Sequence, residues 1–486
     1  MKLYLKGHTD LYPVEQLQMQ LFPGEPSEYV TAPFREGNGA VSALHEGDVY
    51  LTATARITWN GKVGKASRRL KKADATVRLR RRILQQAYYL AALQVLPAAP
   101  PWGALAGVRP SKISTAFLLE GHTPRQCHKM MEETFFVSPA RRQLCIDSSL
   151  RTIHAMEQLR PRDLSLYIGI PFCPTRCAYC SFVSQSIEKF SGLVEPYLDA
   201  LIREIEVTGE LLQNSNYRIR TLYMGGGTPT TLSTPQMQRL LTAIRQNFDL
   251  SDCLEFTVEG GRPDTLDAEK LFTISQAGVG RMSINPQTMN DRVLSIIGRN
   301  HTTEETLAAY GMAQRARFTD INMDLIAGLP GDTVESYRAS LEQVIALDPS
   351  NITVHTLALK KGADLFFRRE HLPDGREVSQ MLEDTMTLLR QAGYAPYYLY
   401  RQKYSSGSFE NVGWCKPGHD CLYNIYMMEE LHSILALGGG GMNKVNFARD
   451  DLERFHNPKF PKDYIDHIED VLEKKRQIFK LLPQEV

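Results

Sequence analysis

The chain contains the stretch Tyr167-Ile168-Gly169-Ile170-Pro171-Phe172-Cys173-Pro174-Thr175-Arg176-Cys177-Ala178-Tyr179-Cys180, which places three cysteines at the spacing C-x3-C-x2-C after an apolar run. Thiolates this close along a loop can each reach a different iron of a [4Fe–4S] cluster, and three of them leave the fourth iron open to an outside ligand. A zinc site would need a fourth nearby ligand, and the next cysteine, Cys253, is distant in sequence. A redox-active C-x2-C pair would leave Cys173 unexplained. The spacing therefore favours one cluster held by Cys173, Cys177 and Cys180.

Composition indicates a large protein of the cytoplasm. The chain has 486 residues, 43% of them hydrophobic, which is enough for at least two domains with their own cores. A net charge of +1 gives no overall attraction to nucleic acid or membranes, and no apolar run approaches the roughly 20 residues of a spanning helix. Eight cysteines are too few for a disulfide scaffold in a chain of this length. Cys127, Cys145 and Cys253 are therefore predicted to be buried thiols.

The first part of the chain, residues 1–160, is predicted to be an α+β domain. Strand-like alternation runs from Asp48 to Trp59 and ends at the turn pair Asn60-Gly61, and helical patterns cover Asp74–Leu96 and Pro139–Leu159. Between Lys62 and Arg82 stand ten basic residues and one acidic residue. This stretch is either an anion or nucleic-acid face or the solvated flank of an amphipathic helix, and the pattern favours the helix flank.

The second part, residues 161–365, alternates short β-branched runs with helical ones. Six strands are predicted: Leu164–Ile170, Ile219–Met224, Leu254–Glu259, Val279–Ile284, Asp320–Ile326 and Asn351–Leu357. Five helices are predicted between them: Val194–Leu212, Pro235–Phe248, Leu266–Ala277, Thr303–Arg315 and Val334–Leu347. Such alternation predicts a parallel sheet with helices outside it, either open or closed as a barrel, with the chemistry at the carboxyl ends of the strands.

Polar residues follow or interrupt several of these strands. Gly225-Gly226-Gly227-Thr228-Pro229-Thr230 follows the second strand, and its exposed N–H groups are predicted to take a carboxylate or phosphate. Glu259 ends the third strand, and Asp324 interrupts the apolar run of the fifth, where a charge is costly unless it is paired or used. Each has a structural alternative: Glu259 with Arg299 as an ion pair, and Asp324 as the cap of a loop. Their occurrence at successive strand ends favours function.

The motifs together resemble the radical S-adenosylmethionine (SAM) family, and within it the oxygen-independent coproporphyrinogen III oxidase (dehydrogenase) group. The resemblance covers roughly Leu164 to Asn446 and is closest to the HemZ-type branch, which has a long N-terminal extension. Four stretches carry it: Tyr167–Cys173, Gly225–Thr230, Ile321-Asn322-Met323-Asp324-Leu325-Ile326-Ala327-Gly328-Leu329-Pro330-Gly331 and Leu437-Gly438-Gly439-Gly440-Gly441. It implies an α/β fold: a partial (β/α)6 barrel at 161–365, an N-terminal α+β domain at 1–160 and a smaller C-terminal α/β extension at 366–486.

The resemblance also implies the ligand-binding residues. Cys173, Cys177 and Cys180 would bind the [4Fe–4S] cluster. Tyr167 would lie beside the cluster-bound SAM, which Gly226, Glu259 and Met442 would contact, and Tyr167, Glu259 and Asp324 are the catalytic candidates. The decarboxylating members hold a second SAM, and the matching positions here are Tyr179, Gly227, Thr228, Gln287, Arg299, Asp324 and Ala358.

The reaction implied is the oxidative decarboxylation of two propionates of coproporphyrinogen III to vinyl groups, giving protoporphyrinogen IX in heme biosynthesis. An electron from the cluster would cleave SAM, and the resulting radical would abstract hydrogen. A one-electron donor such as flavodoxin or ferredoxin would be the protein partner, and a monomer is predicted. Candidate anchors for the substrate carboxylates are Arg299, Lys360, Lys361, Arg401 and Lys403.

Two departures leave other functions open. The decarboxylating members carry a further cysteine shortly after the third cluster cysteine, where this chain has Ser181-Phe182, and their Tyr/Arg-rich N-terminal segment has no evident counterpart. The heme-chaperone relatives carry His-Asn-x-x-Tyr-Trp, where this chain has His419-Asp420-Cys421-Leu422-Tyr423-Asn424. The alternatives are a heme-trafficking protein with His419 as axial ligand and a radical SAM enzyme that acts on heme. A loop histidine hydrogen-bonded to Asp420 is the structural alternative for His419, and it is favoured over iron ligation.

Overall fold

The computed structural model describes the chain except for residues 35, 182–183, 361, 369–371, 403–407, 449–450 and 484–486. It divides into two compact units. The first comprises Met1–Ser149 and a short stretch that ends at Phe409, and the second comprises the rest from Leu150 onward. The predicted domain limits at residues 160 and 365 stay predictions.

The first unit is a mixed α/β structure around one sheet. Its elements are β1 (Lys2–Lys6), α1 (Leu11–Leu21), β2 (Glu28–Tyr29), β3 (Gly39–Glu46), β4 (Tyr50–Trp59), β5 (Lys62–Lys71), α2 (Val77–Leu93), α3 (Ser111–Leu119), α4 (Pro124–Phe135) and α5 (Pro139–Glu157), the last of which continues into the second unit. The strand order is β2-β1-β3-β4-β5. Asn60 and Gly61 both have positive φ, as a two-residue hairpin turn requires, and they join β4 to β5.

The core of this unit lies between the sheet and the helices α1 and α2. Alternate residues of β4 such as Ala53 and Ile57 are buried with Leu84 and Tyr88 of α2. The predicted helix Asp74–Leu96 begins later, because the Thr76 side chain accepts a hydrogen bond from the Leu79 amide and caps the helix there. The prediction that the basic stretch flanks a helix is wrong for its first half, because Lys62–Lys71 is strand β5.

The second unit alternates strands and helices through most of its length. Its strands are β6 (Asp163–Ile170), β7 (Phe172–Cys173), β8 (Gln185–Ser186), β9 (Arg218–Gly226), β10 (Glu255–Glu259), β11 (Arg281–Ser283), β12 (Asp320–Ala327), β13 (Asn351–Thr356), β14 (Ala395–Arg401), β15 (Glu410–Cys415), β16 (Ser433–Leu437), β17 (Met442–Ala448) and β18 (Asp451–His456). Its helices are α6 (Ile187–Phe190), α7 (Val194–Gln213), α8 (Thr234–Asn247), α9 (Ala268–Gln276), α10 (Asp291–Ile296), α11 (Thr303–Arg315), α12 (Val334–Ala346), α13 (Leu365–Arg368), α14 (Gly375–Gln391), α15 (Leu422–Glu429), α16 (Pro461–Asp466) and α17 (Ile468–Leu481).

Eleven of these strands form one sheet, in the order β14-β15-β13-β12-β11-β10-β9-β6-β16-β17-β18. From β6 to β13, six strands lie side by side in chain order and run parallel, because each connection between them carries at least one helix. All six predicted strands are present, with ends within two residues of the prediction. The described strands form an open ladder with β14 and β18 at its edges, so the fold is mixed α/β and closure of a barrel is not seen.

Helix starts follow local capping signals. Ser233, Thr302 and Thr333 each form a capping box with the third residue of helices α8, α11 and α12, so each helix begins at its predicted position or one residue before it. Among the described residues, no helix is both long and apolar enough to cross a membrane.

Candidate functional site

The cysteine loop lies at the carboxyl end of β6. Cys173 is on the short strand β7, which pairs in parallel with β8 and so closes the loop between them. Burial raises the pKa of the Cys173 thiol, while hydrogen bonds from the side chains of Thr228 and Ser184 pull it the other way. Cys177 is buried, and its carbonyl accepts a hydrogen bond from the Cys180 amide at 3.0 Å. The three predicted ligands therefore share one closed loop.

A buried arginine anchors this loop. Arg262, which follows β10, is only 2% exposed and donates two hydrogen bonds to the Asp264 carboxylate, from Nε and from Nη2. It also donates to the Thr175 hydroxyl at 2.7 Å, in the middle of the cysteine loop. The positive charge pulls the pKa of Cys173 downward, against the burial that raises it. Sequence reasoning missed Arg262, although it stands three residues after Glu259 at the same strand end.

The glycine loop packs directly on the cysteine loop. A Cβ built on Gly227 would come within 2.5 Å of the Phe172 carbonyl and 3.0 Å of the Cys173 sulfur, so only glycine allows this approach. The Gly227 amide donates to the Ile170 carbonyl at 2.8 Å and the Thr228 amide to the Phe172 carbonyl at 2.7 Å. The expectation that these N–H groups are open to a ligand is wrong for both residues. The absence of a side chain at Gly227 instead allows the close contact between the glycine loop and the cysteine loop.

Glu259 lies beside the glycine loop with an unusual protonation equilibrium. Its carboxylate accepts hydrogen bonds from the Tyr223 hydroxyl and the Gly226 amide. Burial raises its pKa to about 7, and the nearby Asp324 carboxylate adds to the rise. A Cβ on Gly225 would come within 2.9 Å of a Glu259 oxygen, so a second glycine makes room for this side chain. Near neutral pH, the Glu259 side chain therefore populates both its protonated and its ionised form.

Three tyrosine rings pack next to this carboxylate. The rings of Tyr223 and Tyr423 are stacked, with centroids 4.5 Å apart, and Tyr167 lies 6.4 Å from each of them. Burial raises the pKa of the Tyr167 hydroxyl, and the Glu259 charge adds to this effect. Sequence reasoning placed Tyr167 here but missed Tyr223 on β9 and Tyr423 on α15. The signal for Tyr223 was its position at the carboxyl end of a predicted strand.

Asp324 is held within its strand by polar neighbours. Asn322, two residues earlier on the same face, donates to an Asp324 oxygen at 2.7 Å and in turn accepts from the Thr353 hydroxyl at 2.9 Å. The imidazole of His355 lies 3.6 Å from the other oxygen. The side chain is thus paired within the sheet and does not cap a loop. His355, near the carboxyl end of β13, is a further residue that sequence reasoning missed.

The pKa of Glu259 makes stability depend on pH. Because this pKa is higher in the folded chain than the usual 4.5, the folded state binds the proton more tightly than the unfolded state. The stabilisation is complete below about pH 4.5 and is lost as pH rises through 7. We expect the free energy of unfolding of the wild type to fall relative to that of Glu259→Gln by roughly 1–3 kcal/mol between pH 5 and pH 8. Urea unfolding of both proteins at the two pH values measures this, and parallel curves would contradict it.

Tyr179 and Arg299 meet within the cysteine loop. The Arg299 guanidinium donates hydrogen bonds to Tyr179 and Cys177. Burial by itself would lower the pKa of Arg299, but these two acidic groups raise it. Arg299 also donates to the Asn285 carbonyl. Its position by Cys177 means that the alternative ion pair between Arg299 and Glu259 does not form.

Other predicted ligand residues lie around the same strand ends. Gln287, which follows β11, has φ +69°. Its backbone N–H donates a hydrogen bond to the backbone carbonyl of Asp324 at 2.9 Å. Ala358 stands two residues after β13, and Met442 begins β17 directly after the glycine run. Hydrogen bonds thus join Tyr179 to Arg299, and the backbones of Gln287 and Asp324 to each other. The roles of all these residues toward SAM stay predictions.

A buried polar network holds the glycine run Gly438–Gly441 in place. Glu204 of α7 accepts hydrogen bonds from the Gly438 amide at 2.8 Å and the Tyr464 hydroxyl at 2.5 Å. The Lys475 ammonium lies 3.2 Å from the same carboxylate, and both side chains are at most 1% exposed. Sequence reasoning did not find this network, because Glu204 stands more than 200 residues before its partners.

Several further predictions are corrected. His419 lies at the amino ends of the strands, opposite the cysteine loop, where its Nδ1 is 2.5 Å from Asp320, the first residue of β12. The predicted partner Asp420 is 3.4 Å from Arg151 instead. Of the candidate carboxylate anchors, Lys360 is exposed and Arg401 is buried. Lys361 and Lys403 lie outside the described residues. So does Phe182, one of the two residues that stand where the decarboxylating members carry a further cysteine.

The loop fits an iron–sulfur cluster in its chemistry. Three thiols on one closed loop are the ligand type that such clusters require, and Gly227 leaves the Cys173 sulfur free of side-chain bulk. Arg262 and Arg299 place two positive charges beside thiols that must ionise to bind metal. Within the part of the chain that the structure describes, no three His, Cys, Asp or Glu side chains form a preassembled metal site.

Comparison with known proteins follows the same region of the chain. Residues 167–344 match the family model of the radical SAM superfamily. The oxygen-independent coproporphyrinogen-III oxidase-like protein HemZ of Bacillus subtilis is 39% identical over 390 residues, 78% of each chain. The heme chaperone HemW of Haemophilus influenzae is 30% identical over 312 residues, 64% of this chain and 77% of HemW.

A solved structure of a related protein has a similar fold. The coproporphyrinogen III oxidase HemN from Escherichia coli, a radical SAM enzyme, superposes with a TM-score of 0.53 at 26% identity. The superposition covers 66% of this chain and 72% of HemN. The family-model match at 167–344 includes the cysteine loop, the glycine loop, Glu259 and Asp324.

Proposed function

Because the chain belongs to the radical SAM superfamily and, within it, to the family of the oxidase-like protein HemZ, we propose that it is an oxygen-independent coproporphyrinogen III dehydrogenase. It would convert two propionates of coproporphyrinogen III to vinyl groups and release protoporphyrinogen IX. Each propionate would lose one hydrogen atom to the radical derived from SAM, one carbon dioxide, and one electron to a one-electron acceptor. The six parallel strands β6 and β9–β13 would curve into the partial (β/α)6 barrel of the family.

One observation carries this proposal most directly. Glu259 and Asp324 lie on strands β10 and β12 near the carboxyl ends of the parallel sheet, and the Asp324 charge helps to raise the pKa of Glu259. Glu259 adjoins the glycine loop that packs against Cys173. Carboxylates at this edge would hold a ligand bound over the cysteine loop, because the carboxyl ends of the strands are the usual site of chemistry in such sheets.

The proposed cofactors are a [4Fe–4S] cluster on Cys173, Cys177 and Cys180 with SAM bound to it, and a second SAM beside Tyr179 and Arg299. When bound, the cluster and SAM supply the organic radical that removes a hydrogen atom from the substrate. Glu259 would accept hydrogen bonds from SAM hydroxyls in its ionised form, so ligand binding would draw its proton off. The stacked rings of Tyr167, Tyr223 and Tyr423 would exclude water from that side.

The remaining parts of the proposal concern partners and setting. The substrate is a tetrapyrrole, and a one-electron donor such as flavodoxin or ferredoxin would reduce the cluster. The protein would work as a monomer in the cytoplasm, where thiols stay reduced. The buried Arg299 is a candidate for one substrate carboxylate, because a guanidinium binds carboxylates with two parallel hydrogen bonds.

Anaerobic incubation with coproporphyrinogen III, SAM and a reductant tests this function. We expect carbon dioxide and 5′-deoxyadenosine to appear in proportion, together with protoporphyrinogen IX. Stoichiometric heme binding without substrate-dependent 5′-deoxyadenosine would instead identify a heme carrier, the role that the name of the HemW relatives describes. His419→Ala would then show whether this histidine is the heme ligand, although its Nδ1 is already bonded to Asp320.

Asp324→Asn should lower turnover and leave the cluster in place. The change keeps the shape of the side chain but removes a charge-assisted hydrogen bond, which is worth about 1.5–3 kcal/mol, or about 10- to 150-fold in rate. Turnover and the visible cluster spectrum are measured on the same samples.

Asp320→Asn is the matched control, because it changes the other aspartate of the same strand. Asp320 lies at the opposite end of β12 and pairs with Arg281 at 3.2 Å. We expect this variant to lower the melting temperature and to keep the turnover of the folded protein. Wild-type turnover in Asp324→Asn would defeat the proposed role.

A further inference from the structure

The basic stretch of the first unit forms one face of a β-sheet. In β5 the residues Val63, Lys65, Ser67, Arg69 and Lys71 alternate with buried or half-buried ones. The inward residue Gly64 is pressed against α2, because a Cβ there would come within 2.0 Å of the Ala91 carbonyl. The basic residues therefore point to the side of the sheet that α1 and α2 do not cover.

The strand register extends this face across the sheet. Lys71 lies opposite Tyr50, Arg69 opposite Thr52, Ser67 opposite Thr54 and Lys65 opposite Arg56. On the next strand, β3, Thr52 lies opposite His45 and Arg56 opposite Val41. We call this surface the outer sheet face; its members on β3 to β5 are Val41, Ala43, His45, Tyr50, Thr52, Thr54, Arg56, Thr58, Val63, Lys65, Ser67, Arg69 and Lys71.

The charge of the outer sheet face is positive and uncompensated. Arg56, Lys65, Arg69 and Lys71 are all exposed, and none forms an ion pair with a residue that the structure describes. The nearby Glu46 has the opposite orientation in β3 and pairs with Lys72 at 2.7 Å. The members on β3 to β5 include no carboxylate; Glu28 of β2, opposite Lys2, lies on the same face at the other edge of the sheet. A chain with a net charge of only +1 thus concentrates cations on one surface.

We propose that the outer sheet face binds single-stranded nucleic acid. Side chains on one face of a strand repeat about every 6.6–6.8 Å, so the cations of β5 from Lys65 to Lys71 form a row of roughly 20 Å for a phosphate backbone to follow, with Arg56 of β4 beside Lys65. Hydroxyls of Thr52, Thr54 and Ser67 stand between the cations as donors to phosphate and sugar oxygens. Tyr50, 41% exposed at the end of the row, offers a ring on which a base can stack.

Protection of an exposed edge is the simpler explanation for charges on β5, which is the last strand of its sheet. It does not account for Arg56, because β4 is an interior strand with partners on both sides. It also predicts no binding. The proposed dehydrogenase reaction makes no use of this face, so the two proposals stand or fall separately.

Fluorescence anisotropy of labelled 20-nucleotide oligo(dT) and oligo(U) with the full chain tests the proposal. We expect binding at 50 mM salt whose logarithmic salt dependence has a slope near −3, since each of four phosphate contacts contributes about −0.7. The variant Lys65→Glu/Arg69→Glu should bind at least tenfold more weakly, with a slope about 1.4 smaller in magnitude. Tyr50→Ala should lower affinity about five-fold or more.

The matched control is Arg125→Glu/Lys129→Glu, which makes the same change of charge at two exposed positions of α4 in the same unit. It should bind as the wild type does. If the first variant fails to fold by circular dichroism, Lys65→Gln/Arg69→Gln replaces it, with an expected loss of threefold or more. No binding by the wild type, or equal losses in control and test variants, would overturn the proposal. Displacement of the oligonucleotide by phosphatidylserine vesicles at equal charge would also overturn it, in favour of a membrane surface.

Discussion

Anaerobic reconstitution of Cys177→Ala is expected to give folded protein without a [4Fe–4S] cluster, where the wild type takes up about one cluster per chain. Cys177 is buried at the centre of the loop, between Cys173 on β7 and Cys180. With three protein thiolates and an outside ligand completing the coordination, no spare thiolate in the loop can take the place of the one removed. Iron and sulfide content and the visible absorption spectrum measure the loss, and Cys173→Ala and Cys180→Ala should behave alike.

Cys253→Ala is the control for this result. Its sulfur donates a hydrogen bond to the Glu255 carbonyl at 3.3 Å, and burial raises its pKa to about 11, so it is not a ready metal ligand. We expect full cluster content in this variant, and the same in Cys127→Ala. Wild-type iron and sulfide in Cys177→Ala would refute the assignment of the loop.

Glu204→Leu is expected to destabilise the protein by about 3–5 kcal/mol, because it leaves the Lys475 ammonium buried without its partner. Burial already lowers the pKa of Lys475, and the Glu204 carboxylate pulls in the opposite direction. The variant also removes the acceptor of the Gly438 amide, so the glycine run loses one of its supports. The free energy of unfolding from urea titration measures the effect.

A double variant separates charge from packing in this network. Glu204→Leu with Lys475→Met replaces both partners by apolar side chains of similar length, and it should recover a large part of the lost stability. Asp466→Ala, which breaks the exposed pair with Lys462, serves as the surface control and should leave the unfolding curve unchanged. Equal destabilisation by the single and the double variant would show that the charge pairing is not the cause.

Local pattern was sufficient for the order of strands and helices in the central part of the chain. The alternation of β-branched runs with periodic helices predicted the six parallel strands, because burial on both faces and capping residues such as Ser233 and Thr302 act within a few residues of chain. The spacing of Cys173, Cys177 and Cys180 needed no tertiary information either. Strand-end positions predicted Glu259 and Asp324, since parallel strands bring their carboxyl ends to one edge.

The tertiary structure decided the contacts between residues far apart in sequence, because no local signal encodes them. It placed His419 at the amino ends of the strands with Asp320, and Arg262 on Thr175 of the cysteine loop. It placed Arg299 against Tyr179 and Cys177, which excludes the alternative ion pair with Glu259.

The sequence by itself determined which residues this protein has at each strand end and which thiol groups its cysteine loop contains. The tertiary structure decided which of them are buried, and with whom they are paired. Burial raises the pKa of Glu259 to about 7, and the stacking of Tyr223 on Tyr423 depends on two elements 200 residues apart. The reason is physical: desolvation and pairing energies are set by the surroundings in space, and the chain's own neighbours contribute only a small part of them.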